Sequence, residues 1–104
     1  MSTERIRNLE QLVARNPDDV RARFGLALEL EKAERWGEAV EQFRAYLERA
    51  DDQGNAWGRL GRALRRLGDE AGAREAYRRG VEAANRHGHP SMAAEFEDVL
   101  EDWE

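Results

Sequence analysis

The sequence contains no cysteine, and this absence excludes several kinds of chemistry. Without a thiol the chain forms no disulfide, offers no thiolate nucleophile and has no cysteine ligand for a metal. Hydroxyl groups outside tyrosine are almost as rare, since only Ser2, Thr3 and Ser91 carry one. Ser2 and Thr3 lie where a chain end is expected to fray, and Ser91 falls in the first turn of a predicted helix, where helix capping explains it. No serine-type catalytic triad is recognisable, and we expect no enzymatic activity.

Histidine is also scarce, with only His87 and His89 in the chain. A zinc site needs at least one further His, Cys or carboxylate beside such a pair, and a polar loop that contains glycine requires no metal to explain it. Paired carboxylates such as Asp51-Asp52 are better explained as signals of helix boundaries than as acid–base pairs. There is no glycine-rich phosphate loop. We therefore expect neither a metal nor a cofactor.

Long hydrophobic runs are missing as well. No window of the sequence approaches the roughly 20 apolar residues that span a bilayer. The opening residues, Met1 to Arg5, carry no apolar segment of the kind that a signal peptide needs. We expect a cytoplasmic protein with no membrane contact.

Charge is abundant but unevenly distributed, and the net charge is −5. Residues 59–86 contain eight arginines against four acidic residues, whereas residues 90–104 contain six acidic residues and no basic one. Overall acidity argues against general nucleic-acid binding, which requires a positive surface. Local RNA contact through the arginines is a weak alternative, because no aromatic stacking platform lies beside them in the sequence.

The residues that are present favour helix. Ala, Leu, Glu and Arg dominate, 40% of the residues are apolar, and there are only two prolines. A chain of 104 residues is long enough for one compact domain and too short for two. We predict a single all-α domain over residues 1–104.

An internal repeat organises this domain. Apolar and small residues recur at an offset of 34 across two helices and the turn between them. The matched pairs are Leu26 with Leu60, Ala27 with Gly61, Leu30 with Leu64, Ala39 with Ala73, Phe43 with Tyr77, and Leu47 with Val81. Each unit is therefore a helical hairpin in which small residues let the two helices approach closely. In the second unit the turn is predicted at Gly68-Asp69, because Gly68 can take the left-handed position at a helix end and Asp69 can cap the next helix.

These residues resemble the tetratricopeptide repeat family, whose unit has about 34 residues and a Trp, Leu-Gly, Tyr, Ala, Phe and Pro signature. The second unit matches best, through Trp57, Leu60-Gly61, Leu64, Gly68, Ala73 and Tyr77, while the first has Arg23 in place of the Trp. The resemblance implies a right-handed α-solenoid of antiparallel hairpins: a leading helix at 3–15, repeats at 20–53 and 54–87, and a capping helix at 90–103. The expected helices are 3–15, 18–33, 36–49, 53–67, 70–87 and 90–103.

The capping helix departs from the repeat. A strict step of 34 aligns Met92 with Gly58 and polar Glu95 with Gly61. Either the register shifts by one residue before this helix, or the helix packs differently from its predecessors.

The family resemblance also implies a concave groove lined by the first helix of each unit. We predict a peptide-binding surface formed by Arg21, Phe24, Leu28, Glu31 and Lys32 of the first unit with Asn55, Gly58, Arg62, Arg65 and Arg66 of the second. Arginine grips carboxylates bidentately, so the expected partner is an acidic protein or peptide segment. Phe24 and Leu28 stand where the chaperone-binding members of the family are polar, so their carboxylate clamp is not reproduced.

Two alternatives remain open at this point. The arginines can be a solvated helix face that pairs with nearby acids, as most surface charges do. Alternatively, the domain forms a homo-oligomer through its terminal helices, using Leu9, Leu12, Phe96 and Trp103.

Overall fold

The computed structural model describes residues 2–103, with side chains from residue 3, and this part of the chain contains six α-helices and no strand. Every predicted helix is present, and the bounds differ from the prediction by at most two residues. Two compact units divide the chain, residues 1–50 and 51–104. The helices are α1 (Ser2–Arg15), α2 (Val20–Lys32), α3 (Trp36–Arg49), α4 (Asn55–Arg66), α5 (Glu70–Arg86) and α6 (Pro90–Asp102).

The first unit is built on the α2–α3 hairpin, with α1 packed against α2. Its core consists of repeat residues that are almost fully buried: Leu26, Ala27, Leu30, Ala39 and Phe43. The zero exposure of Ala27 and Ala39 supports the predicted close approach of the paired helices. Burial of these side chains is the principal force that stabilises the hairpin.

Helix α2 begins two residues later than predicted because Asp19 caps it. The Asp19 carboxylate accepts a hydrogen bond from the backbone N–H of Ala22 at 3.1 Å. Asp19 itself has an extended backbone, with φ −75° and ψ 96°, and therefore lies outside the helix. An acidic residue at this position also interacts favourably with the helix dipole.

The second unit is built on the α4–α5 hairpin, with α6 packed against α5. The predicted turn at Gly68-Asp69 is confirmed: Gly68 has a φ of +83°, and the Asp69 carboxylate accepts from the backbone N–H of Gly72 at 2.9 Å. Gly61 allows the hairpin to close, since a Cβ at this position would lie 2.8 Å from the Tyr77 ring.

Asp52 sets the start of α4. Its Oδ2 accepts from the backbone N–H groups of Gly54 and Ala56 at 2.8 and 2.9 Å, so the helix begins at Asn55 rather than at residue 53. One carboxylate oxygen thus satisfies two backbone donors at the start of the helix.

Helix α6 packs through Ala93 and Phe96 rather than through Glu95. Ala93 is 2% exposed, and a Cβ placed on Gly58 or Gly80 would lie 2.6 or 2.9 Å from the Phe96 ring. No helix within residues 2–103 has the length and apolar character needed to cross a membrane.

Candidate peptide-binding site on the second unit

A cavity of about 300 Å³ lies between α4 and α6 of the second unit, and we call it the α4–α6 cavity. Its α4 wall comes from Asn55, Arg59 and Arg62, which share one helix face because they are spaced four and three residues apart. The remaining lining residues are Gly58 of α4, Tyr77 of α5, and Glu95, Phe96 and Val99 of α6.

Two aromatic rings form part of the apolar lining of the cavity. The ring centroids of Tyr77 and Phe96 are 5.8 Å apart, with the ring planes inclined at 59°. Gly58 lets Phe96 approach α4, because any side chain at this position would collide with the ring. The site therefore presents an aromatic surface beside charged groups, a combination that suits a ligand with both an apolar and a polar part.

Positive charge exceeds negative charge around this cavity. Two lining residues are arginines, Arg59 and Arg62, against the single carboxylate of Glu95. Burial raises the pKa of the Tyr77 hydroxyl above its ordinary value, although the positive charges of Arg65 and Arg62 act in the opposite direction. Tyr77 therefore remains a neutral hydroxyl at physiological pH. The excess of arginine over carboxylate in the lining is what favours an anionic ligand.

Arg65, one of the residues predicted for the groove, lies against an indole ring. Its guanidinium carbon is 4.1 Å from the centroid of the Trp103 ring, within the range of a cation–π interaction. Arg74 lies over the same ring at 5.3 Å, and Tyr77 meets it edge-on at 6.1 Å. The Trp103 indole N–H donates to Glu70 Oε1 at 2.9 Å. We call the four residues around Trp103, namely Arg65, Glu70, Arg74 and Tyr77, the indole cage.

The two histidines belong to a separate cluster at the other end of α4. His87 Nε2 lies 3.1 Å from Asp51 Oδ2, and Arg86 donates to Asp51 Oδ1 at 2.9 Å. These contacts, first that with His87 and then that with Arg86, hold the pKa of the Asp51 carboxyl below its ordinary value. His89 Nε2 lies 2.6 Å from Gln53 Oε1. The cluster thus ties the segment before α4 to the end of α5.

No three or more His, Cys, Asp or Glu residues converge on a possible metal position within the part of the chain that the structure describes.

Comparison with known proteins identifies the family of the repeat. The model of the family described as "Tetratricopeptide repeat" matches residues 1–84, which is well over half of the chain. The chain belongs to the tetratricopeptide repeat family. The predicted all-α helical-repeat fold is thereby confirmed, and membership indicates a protein–protein interaction module.

Two similar proteins extend the comparison with this family. The "TPR repeat-containing protein PA0015" of Pseudomonas aeruginosa is 36% identical over 94 residues, which cover 88% of this chain and 87% of that protein. The solution structure of protein BPP2914 from Bordetella parapertussis superposes with a TM-score of 0.76 at 31% identity, covering 93% of this chain and 84% of that one. Both similarities cover more than four fifths of this tetratricopeptide repeat protein and of the protein compared.

The groove residues predicted on the second unit separate into different environments. Asn55 and Arg62 are brought together in the α4–α6 cavity, whereas Arg65 stacks on Trp103 in the indole cage. Arg66 is exposed in the last turn of α4 and does not line the cavity.

The groove residues predicted on the first unit also differ in accessibility. Phe24 is half-buried, 5.0 Å from the Tyr46 ring and 6.2 Å from the Phe43 ring between centroids. Leu28 is half-buried, and Glu31 is only 6% exposed and offers little surface to a ligand. The exposed members are Arg21 and Lys32, and Lys32 Nζ lies 3.5 Å from Glu29 Oε2.

Five cavity residues were missed by sequence reasoning. Arg59 had a usable signal, because it lies four residues after Asn55 and three before Arg62 on the same helix face. The signal for the cavity residues of α6 was weaker, since the break in the repeat left the register of that helix open. The missed residues are Arg59, Tyr77, Glu95, Phe96 and Val99.

The residues proposed for self-association are mostly packed within their own unit. Leu9 is half-buried and approaches Gly25 of α2, where a Cβ would lie 3.6 Å from it. Phe96 and Trp103 are occupied by the contacts described above. Leu12 differs, since it is 46% exposed and available on the surface of α1.

Proposed function

We propose that this chain is a non-catalytic protein–protein interaction module that binds an acidic segment of a partner protein in the α4–α6 cavity. The observation that carries the proposal is the pairing of an aromatic surface, Tyr77 and Phe96, with the guanidinium groups of Arg59 and Arg62 around one opening. Membership of the tetratricopeptide repeat family supports the general role.

The expected contacts follow from the chemistry of the lining. A carboxylate of the ligand forms a charge-assisted, bidentate pair with Arg62, since the guanidinium fork matches carboxylate geometry. An apolar side chain of the same segment covers the rings of Tyr77 and Phe96. Asn55 offers an amide that both donates to and accepts from a peptide backbone. Glu95 opposes anions and therefore limits how many carboxylates the cavity accepts.

The size of the cavity limits the kind of ligand. A volume of about 300 Å³ lies at the small end of ligand pockets and accommodates a few groups of a short segment rather than a folded domain. We therefore expect a weak interaction, with a Kd in the micromolar range or above, that falls in affinity as salt is added.

The proposal is tested with a fluorescently labelled peptide, Asp-Glu-Leu-Glu-Asp, whose binding is followed by anisotropy. Arg62→Glu places a carboxylate on the cavity wall, and we expect it to weaken binding at least about tenfold. Arg78→Glu is the matched control, because Arg78 is exposed on α5 and does not line the cavity. Circular dichroism checks that both variants remain helical.

A pull-down from the native cell extract then extends the test to natural partners. Proteins retained by the wild type and by Arg78→Glu but lost from Arg62→Glu support the proposal. Equal peptide affinity for all three proteins contradicts it, and absence of binding to any of them indicates that these arginines are only a solvated helix face.

A further inference from the structure

Trp103 occupies the indole cage through side-chain contacts of three kinds. Arg65 and Arg74 lie over the ring, Tyr77 is in a T-shaped contact with it, and Glu70 accepts the indole N–H. These groups match the chemistry of an indole, which attracts cations to its face, pairs with other aromatic rings and carries a single donor. The cage is therefore suited to a tryptophan side chain.

The segment that brings Trp103 to this site is itself acidic. Residues 95–102 contain five carboxylates and no basic residue, and Glu101 and Asp102 directly precede Trp103. The chain thus shows, in its own structure, an aromatic residue of an acidic segment seated beside Arg65 and Arg74. This is the kind of segment that the α4–α6 cavity favours by its charge.

The indole cage and the α4–α6 cavity share Tyr77. The Tyr77 ring lines the cavity and also contacts Trp103 at 6.1 Å between ring centroids. A peptide that binds the cavity is therefore close enough to reach the cage with a neighbouring side chain.

We propose that the partner segment carries an aromatic side chain, best a tryptophan, that competes with Trp103 for the indole cage, so that Trp103 is an intrachain competitor of the ligand. This inference rests on the proposed function and names the ligand of that site more closely. Trp103 is suited to exchange because it follows the last residue of α6, and its hydrogen bond to Glu70 lies at the protein surface. Binding of the partner releases the ring without breaking the helix.

The test uses two blocked peptides, Asp-Glu-Trp-Glu-Asp and Asp-Glu-Ala-Glu-Asp, with the wild type and Trp103→Ala. We expect Trp103→Ala to bind the tryptophan peptide about fivefold more tightly than the wild type, because the competitor is gone. The alanine peptide should bind both proteins equally. Glu97→Ala is the matched control, because Glu97 is an exposed residue of the same helix.

A second measurement observes the wild type directly. In a ¹⁵N-labelled protein each tryptophan gives one indole N–H signal, and the signal of Trp103 is assigned by its loss in Trp103→Ala. We expect the unlabelled tryptophan peptide to shift this signal toward its position in unfolded protein, and the alanine peptide to leave it in place. If Trp103→Ala does not fold, Trp103→Phe takes its place, because it keeps a ring but lacks the donor to Glu70. We expect its affinity for the tryptophan peptide to lie between that of the wild type and that expected for Trp103→Ala.

The outcomes separate this inference from the function on which it rests. Equal affinity of the tryptophan peptide for the wild type and Trp103→Ala, with an unmoved Trp103 signal, overturns the inference and leaves the proposed function intact. Trp103 is then a structural cap that affects stability alone. If neither peptide binds any of the proteins, the proposed function fails, and the inference fails with it.

Discussion

Glu34 and Gly68 occupy equivalent turns in the two hairpins, and both have a left-handed backbone, with φ angles of 59° and 83°. In each turn the next residue donates its backbone N–H to a carbonyl near the helix end: Arg35 to Leu30 and Asp69 to Leu64, both at 2.9 Å. The two turns therefore have the same geometry, but only the second has the residue that adopts it without steric cost.

We predict that Glu34→Gly stabilises the protein by about 1 kcal/mol, since an L-residue in this conformation costs roughly 1–2 kcal/mol and glycine does not. Urea denaturation followed by circular dichroism measures the change. Glu34→Ala is the matched control, because it removes the same side chain and keeps the strain. A gain in Glu34→Ala as large as that in Glu34→Gly would show that the side chain, and not the backbone, is the cause.

Gly58 and Gly37 give a contrast between a crowded and an open helical glycine. A Cβ on Gly58 would lie 2.6 Å from the Phe96 ring, whereas a Cβ on Gly37 has no neighbour within 4 Å. We predict that Gly58→Ala destabilises the protein by about 1–3 kcal/mol through overpacking. Gly37→Ala should stabilise it by about 0.5–1 kcal/mol, because alanine has the higher helix propensity. Thermal unfolding of the two variants checks the opposite signs, and a stabilised Gly58→Ala would mean that Phe96 moves aside at little cost.

The sequence predicted the parts of the fold that depend on the repeat itself or on local turn signals. The offset of 34 placed Leu60, Gly61 and Tyr77 in one hairpin, and packing then requires a small residue opposite a ring. Asp69 after Gly68 gave the turn, because a glycine that can take positive φ and an acidic cap are both local signals.

The candidate site was less predictable because it depends on where the repeat ends. Arg62 and Asn55 were identified as members of one helix face, but the opposite wall comes from α6, whose register the offset of 34 does not give. Arg65 was predicted to line the same groove, yet its neighbour is Trp103, which follows a helix outside the repeat. No local rule links two residues so far apart in sequence, and their contact becomes visible only when α6 is packed.

Asp51 should make the stability of the second unit depend on acid pH. Its contacts with His87 and Arg86 lower its pKa in the folded state, so the unfolded chain binds more protons in this range and stability rises with pH. The contribution is present above the ordinary carboxyl pKa of 3.8 and is lost as the pH falls through the lower folded value. We expect the difference in Tm between the wild type and Asp51→Asn to shrink as the pH is lowered from about 5 to about 2.5. If the difference in Tm stays constant over this range, Asp51→Asn changes stability by something other than the loss of the carboxylate charge.

Self-association is tested through Leu12. Because Leu9, Phe96 and Trp103 pack within their own units and Leu12 is 46% exposed, an interface of the terminal helices would have to use Leu12. A single exposed leucine is too small an apolar patch to hold a stable dimer. We predict that light scattering gives the monomer mass for the wild type and for Leu12→Glu at every concentration up to about 100 μM. A dimer that Leu12→Glu dissociates would favour self-association over peptide binding.

Glu95 gives the sharpest electrostatic test of the cavity, because it is the carboxylate that faces two arginines around the same opening. Glu95→Gln removes one negative charge while keeping the size of the side chain, so the field at the cavity becomes more favourable to an anion. We predict about two- to fivefold tighter binding of Asp-Glu-Leu-Glu-Asp at low salt and a smaller gain at about 0.5 M salt, where screening weakens charges near the surface. Glu97→Gln, an exposed position on the same helix, changes the net charge equally and should have little effect. If both variants tighten binding to the same extent, the peptide responds to the net charge of the protein and not to the α4–α6 cavity.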